Sequence, residues 1–136
     1  MADKHIRMRW SGEGDRFEGG PVGGASAVID GDGAAAPGPM DMLLGALASC
    51  MGIDIVMILQ KGRVPVDDLD IEIEADRAPK PPRRFTSVEM TVRVIGPSEE
   101  QRSKVERAVA LSRDTYCSVF HSLREDLDVR IHIDLG

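Results

Sequence analysis

Apolar and polar residues alternate from the start of the chain. Over residues 4–10, "KHIRMRW", Ile6, Met8 and Trp10 fall on one face and His5, Arg7 and Arg9 on the other, the two-residue period of a half-buried strand. "SGEGD" then turns the chain, Phe17 opens a return toward "ASAVID", and "DGDG" at 30–33 closes the segment. Two or three short antiparallel strands are predicted here.

The pattern changes after "AAAPGP". Pro39 suits the first helical position, where its missing N–H costs nothing, and the following residues are apolar almost all round as far as Lys61. Gly62 fits the C′ position, Lys61 complements the last turn, and Pro65 prevents resumption. A helix over Pro39–Lys61 would be roughly 30–35 Å long. Because it lacks a polar face it needs protein on most sides. A chain of 136 residues supplies a sheet for one side and calls for a partner subunit on the other, so a homodimer is expected.

Two further strands follow. In "LDIEIEAD", Leu69, Ile71, Ile73 and Ala75 alternate with acids, and Val88, Met90, Val92 and Val94 alternate with Glu89, Thr91 and Arg93. They read as a hairpin with one wet face, in an antiparallel sheet covered on one side only. "GPSEEQ" opens a second helix, with Ser98 and Gln101 spaced as a capping box and Val105, Ala108, Val109 and Ser112 on its inner face. This helix should end near Tyr116, just before Cys117, and alternate positions over 127–135 make a last strand. The fold class predicted is α+β, a single domain over 1–136 with antiparallel sheets and a long buried central helix.

Composition narrows the function. Only 4% of residues are aromatic while 42% are hydrophobic, so the core should be aliphatic, with the seven methionines taking part of that load. The net charge of −6 disfavours nucleic acid and anionic membrane as partners, since both require a basic face. "PKPPRR", with Lys80, Arg83 and Arg84, reads as a solvated loop. Residues 42–59 are long enough to span a bilayer, but Asp54 near the middle costs roughly 2.5–3.5 kcal/mol in lipid and amphipathic strands flank the segment. No membrane span is expected. With two cysteines and no leader-like start, a reducing, cytoplasmic setting is expected, in which a disulfide would be transient.

The chemistry therefore rests on two thiols. Cys50, in mid-helix, could be a small packed hydrophobe, and its helix offers no activating group there. Cys117, at a helix-to-loop junction, could equally be packed, or exposed and mobile enough to meet another thiol. A metal would need four ligands from two Cys and three His without paired spacing, so none is expected, and no cofactor either. Asp41 lies out of phase with Cys50 and about 13 Å along the axis, and suits the helix dipole at the first turn. Asp54, one turn beyond Cys50 on the same face, requires a donor; an arginine is expected, with a tyrosine or backbone N–H as alternatives.

"PGPMDMLLGALASCMGID", the "KGR" stop and "YCSV" after an amphipathic helix together resemble the OsmC/Ohr family, over most of the chain from about Trp10. The resemblance implies an intertwined homodimer with the two long helices at its centre. It also implies a thiol peroxidase for organic hydroperoxides, recycled by a dithiol of lipoyl type, with Cys50 matching the peroxidatic and Cys117 the resolving cysteine. The family pairs an arginine with a carboxylate near the start of the long helix. Here the acid is Asp41, shorter than the usual glutamate, and residues 30–40 contain no arginine. Arg16 in the first hairpin is the nominee, with Arg83 or Arg84 of the facing subunit as substitutes.

Overall fold

The computed structural model describes residues 2–136, whose contacts fall into two compact units that divide after Gly45. In the first, β1 (Ile6–Trp10), β2 (Arg16–Pro21) and β3 (Ala27–Asp30) form an antiparallel sheet in sequence order, as the alternation predicts. Trp10 pins the β1–β2 turn by donating its indole N–H to the Gly14 carbonyl at 2.8 Å. The expected half-burial of β1 does not hold in the single chain. Ile6, Met8 and Trp10 are 56%, 37% and 58% exposed.

The long helix, α1 (Pro39–Lys61), has the limits the sequence predicts. At its start the Asp41 carboxylate accepts the Gly38 N–H at 3.0 Å, and the Gly38 carbonyl accepts the Met42 N–H at 2.9 Å. Asp41 thus satisfies a helix-terminal donor from the third helical position, one half of a capping box. At the other end Val64 N–H reaches the Leu59 carbonyl and Arg63 N–H the Gln60 carbonyl. That is a Schellman motif whose left-handed residue is Arg63, at φ 59°, one position beyond the glycine expected to fill it.

In the second unit Leu47, Met51, Ile55 and Leu59, four residues apart, are all 0–1% exposed and form the buried stripe of α1. Gly52 lets the helix approach β4 (Asp68–Arg77) closely: a methyl group there would lie 3.3 Å from Ile71 Cδ1 and 3.7 Å from Leu69 Cδ2. Burial is one-sided, because Ile53 and Met57 remain 60% and 50% exposed. One chain thus covers one side of the helix, as the sequence leads one to expect of a chain this short, and leaves the other side open. Although α1 is long and apolar enough to cross a membrane by length and composition alone, here it packs as the core helix of this unit.

β4 pairs antiparallel with β5 (Phe85–Ile95), placing Leu69, Ile71, Ile73 and Ala75 opposite Val94, Val92, Met90 and Val88. β6 (Asp128–Asp134) pairs with the other edge of β5, and this pairing is parallel. The second sheet is mixed, correcting the all-antiparallel expectation. The physical reason lies in the connection: residues 96–127 form a helical crossover long enough to return the chain in the same direction. β5 is central, with Val88, Met90, Val92 and Val94 no more than 1% exposed. On the wet face Arg93 bridges all three strands, bonding Asp70 at 2.8 Å and Asp134 at 3.1 Å.

The crossover begins with a 3₁₀ turn, Glu99–Gln101, where Gln101 Oε1 accepts the Ser98 N–H at 3.0 Å, the predicted capping contact. α2 (Arg102–Leu111) follows, buries Val105, Ala108 and Val109, and widens into a π-helical turn over Ser112–Tyr116. A short α3 (Ser118–Ser122) then leads into β6.

Candidate functional site

The second unit brings the two thiols together. Cys50, four residues before Asp54 on α1, is partly exposed, and Cys117 is fully buried. Of the two readings open to Cys117, packed or exposed at the junction, the structure takes the packed one. The wide turn ends with the Cys117 N–H on the Ser112 carbonyl at 2.8 Å, after which Cys117 caps α3 by accepting the Phe120 N–H on Sγ at 3.4 Å. Its thiol has Cys50 as a neighbour, close enough for the two to influence each other's charge. Burial pushes the Cys117 thiol up to about 11; the Phe120 N–H opposes the shift and the neighbouring Cys50 adds to it. At neutral pH Cys117 is a protonated thiol, poor as a first nucleophile but well placed to meet an oxidised sulfur beside it.

One turn beyond Cys50, Asp54 meets its donor. The expected arginine is absent from this contact: the Ser112 hydroxyl, wholly buried, donates to Asp54 Oδ2 at 2.8 Å. Helical spacing predicts Ser112 on the inner face, where it lies, but assigns it no partner. The signal available was a hydroxyl facing inward in the same fold as an unpaired acid on an apolar helix. The wide turn is further held by His121, whose Nε2 contacts the Arg113 carbonyl at 2.9 Å. A carbonyl only accepts, so Nε2 carries the proton there, which gives His121 a local role beside Cys117. Next to the Asp54–Ser112 bond an open cleft of about 450 Å³ is lined by Asp54, Met57, Ile58, Lys61, Leu111 and Tyr116.

In the first unit Arg16 stands opposite Asp30 in the β2–β3 register. Its guanidinium lies 3.8 Å from the Asp30 carboxylate and 3.6 Å from that of Glu13. Asp30, missed in the sequence, is 2% exposed and accepts backbone N–H groups from Asp32 at 3.0 Å and Ala35 at 2.9 Å. These bonds, the Ala35 one foremost, hold its carboxyl below the usual range despite burial, with Arg16 assisting. Asp41 is occupied by the Gly38 N–H. Arg83 and Arg84 lie exposed in the β4–β5 loop, Arg83 in left-handed backbone at φ 48°.

Residues 30–132 match the family model for OsmC-like protein. The chain belongs to the OsmC family. Among its relatives, protein YhfA of Escherichia coli K12 is 38% identical over 124 residues, covering 90% of this chain and 91% of YhfA. A solved structure of a hypothetical protein from Aquifex aeolicus VF5 is 26% identical, with a TM-score of 0.86 over 100% of this chain and 98% of that one. The organic hydroperoxide resistance protein OhrB of Bacillus subtilis has the same fold at 16% identity, with a TM-score of 0.64 over 97% and 98% of the two chains. The α+β architecture is thus shared with both of these solved structures.

Proposed function

We propose that the chain is a thiol peroxidase for organic hydroperoxides. The observation that carries this reading is the pairing of a partly exposed Cys50 with a buried, protonated Cys117 beside it. The Cys50 thiolate attacks the peroxide oxygen, the O–O bond breaks, and with one proton taken up the alcohol leaves while Cys50 becomes a sulfenic acid. The Cys117 thiol then displaces hydroxide from that sulfur and supplies the proton, giving a Cys50–Cys117 disulfide and water. An external dithiol of lipoyl type returns both cysteines to thiols by disulfide exchange.

The apolar surroundings favour substrates with fatty or aryl groups over hydrogen peroxide, and a same-fold protein named for organic hydroperoxide resistance supports that preference. Arg16 and Asp41 are assigned by family resemblance as the arginine and carboxylate that assist Cys50. The working unit in this reading is a homodimer in a reducing, cytoplasmic setting. The uncovered apolar residues of β1 and of α1, from Trp10 to Ile53 and Met57, support association, since such surface on a lone chain marks an interface.

The test is consumption of cumene hydroperoxide and of hydrogen peroxide by reduced protein with dihydrolipoamide as donor. Turnover that prefers cumene hydroperoxide and vanishes in Cys50→Ser is expected. Absence of turnover with every dithiol overturns the reading and leaves the 450 Å³ cleft as a binding site for an apolar small molecule.

A further inference from the structure

We infer that Asp54 and Ser112 form a positioning strut that holds Cys117 in register with Cys50; the inference rests on the two-thiol reading above and names the residues that set its second step. Four links close a ring. Cys50 and Asp54 lie one helical turn apart on α1, so the helix fixes their spacing at about 6 Å along its axis. The Asp54 carboxylate accepts the Ser112 hydroxyl at 2.8 Å. The Ser112 carbonyl accepts the Cys117 N–H at 2.8 Å across the wide turn. The Cys117 side chain returns to Cys50.

An acid in the middle of an otherwise apolar helix and a fully buried hydroxyl on a neighbouring element are costly placements unless each satisfies the other. An apolar pair of similar size would pack as well, and replacing both partners of such a bond is often nearly neutral for folding. What an apolar pair lacks is direction: the hydrogen bond fixes where Ser112 sits relative to α1. Through the i→i+5 turn it fixes Cys117 as well. Such wide turns inside helices recur at functional sites, and here the turn is what carries the chain from α2 to the second thiol.

The strut acts on resolution of the sulfenic acid, and Asp54 and Ser112 touch neither peroxide nor reacting sulfur in this role. In the first step Cys50 is oxidised without help from Cys117, so loss of the strut leaves that rate unchanged. In the second step the sulfenic acid waits for Cys117. With excess hydroperoxide, a longer wait allows a second molecule to oxidise the sulfenic acid to sulfinic acid, releasing a second alcohol.

The experiment compares wild type with Asp54→Ala, Ser112→Ala, the double variant and Asp54→Asn. Disulfide formation after one equivalent of cumene hydroperoxide is followed by rapid quench and mass spectrometry. The equilibrium between the two thiols and a glutathione redox buffer measures the effective concentration of Cys117 at Cys50 without any peroxide. Each alanine variant is expected to slow disulfide formation and lower the effective concentration by about tenfold or more, with Cys50 oxidised at the wild-type rate and sulfinic acid accumulating. Asp54→Asn, whose amide oxygen still accepts the hydroxyl, is expected to behave as wild type, and the double variant to match wild type in thermal stability while resolving slowly. Wild-type effective concentration in the alanine variants overturns the strut. Because the glutathione equilibrium needs no peroxidase chemistry, that result differs from failure of the peroxidase reading, which is seen as absence of Cys50 oxidation in wild type.

Discussion

Cys117 lies against Cys50 as the buried member of the pair, its thiol held protonated at about 11 by burial while the Phe120 N–H caps it from the α3 side. A thiol whose folded pKa is raised has a signed effect on stability. Below the usual 9.0 both folded and unfolded chains keep the proton and the full stability is present. Between 9.0 and about 11 the unfolded chain releases the proton while the folded one retains it, so stability falls as pH rises through this window. Denaturant midpoints of reduced wild type and Cys117→Ala, measured from pH 8 to 11, are expected to show a steeper alkaline loss in wild type. Parallel curves would contradict the burial of this thiol.

Asp30 has the opposite sign. Its carboxyl is held below the ordinary value of 3.8 chiefly by the Ala35 and Asp32 N–H groups. The contribution is therefore present above that value and lost as pH falls below it. Asp30→Asn should flatten the acid limb of the stability curve between pH 5 and 2. Arg16→Ala should change that limb far less, because the Arg16 guanidinium is 3.8 Å away and 42% exposed and ion pairs of that kind are weak. Thermal midpoints across the acid range check both.

Arg63 closes α1 in left-handed backbone at φ 59°, where a side chain costs energy that glycine avoids. Arg63→Gly is expected to stabilise the protein by about 0.5–1 kcal/mol, read from urea midpoints at constant m-value. Destabilisation would mean that the Arg63 side chain makes a contact outweighing its backbone strain.

The proposed dimer can be tested on the uncovered side of α1. Ile53 and Met57, 60% and 50% exposed, lie one turn apart and point away from the buried stripe at Leu47, Met51, Ile55 and Leu59. Ile53→Lys with Met57→Lys should convert a particle of twice the 14.8 kDa chain mass to one of chain mass, read by light scattering. A wild-type monomer, or a double variant that stays dimeric, would contradict this assignment of the interface.

The limits of α1 were legible because Pro39, Gly62 and Pro65 punctuate it, yet which residue takes the left-handed position depended on the final turn and fell to Arg63. Strands β4, β5 and β6 were legible from alternation. Their directions were not: a two-residue period states which face is buried, whereas the parallel pairing of β6 with β5 follows from the helical crossover between them. At the site, both cysteines could be found from their surroundings in the sequence. The exposure of Cys117 could not, because the chain gives no sign that α2 opens into a π turn that folds the thiol inward. Nor could the Ser112–Asp54 bond be read, since it joins side chains 58 positions apart and a serine on an apolar helix face has the pattern of a small core residue.

In the proposed mechanism Cys50 and Cys117 act as one redox pair. The most direct measurement is peptide mass mapping, under denaturing and non-reducing conditions, of protein treated with one equivalent of cumene hydroperoxide. A Cys50–Cys117 disulfide within a single chain is expected in wild type, and in Cys117→Ser a Cys50 sulfenic acid that a dimedone probe captures. Protein that consumes the hydroperoxide without that link, or whose Cys50 stays a thiol, would contradict it.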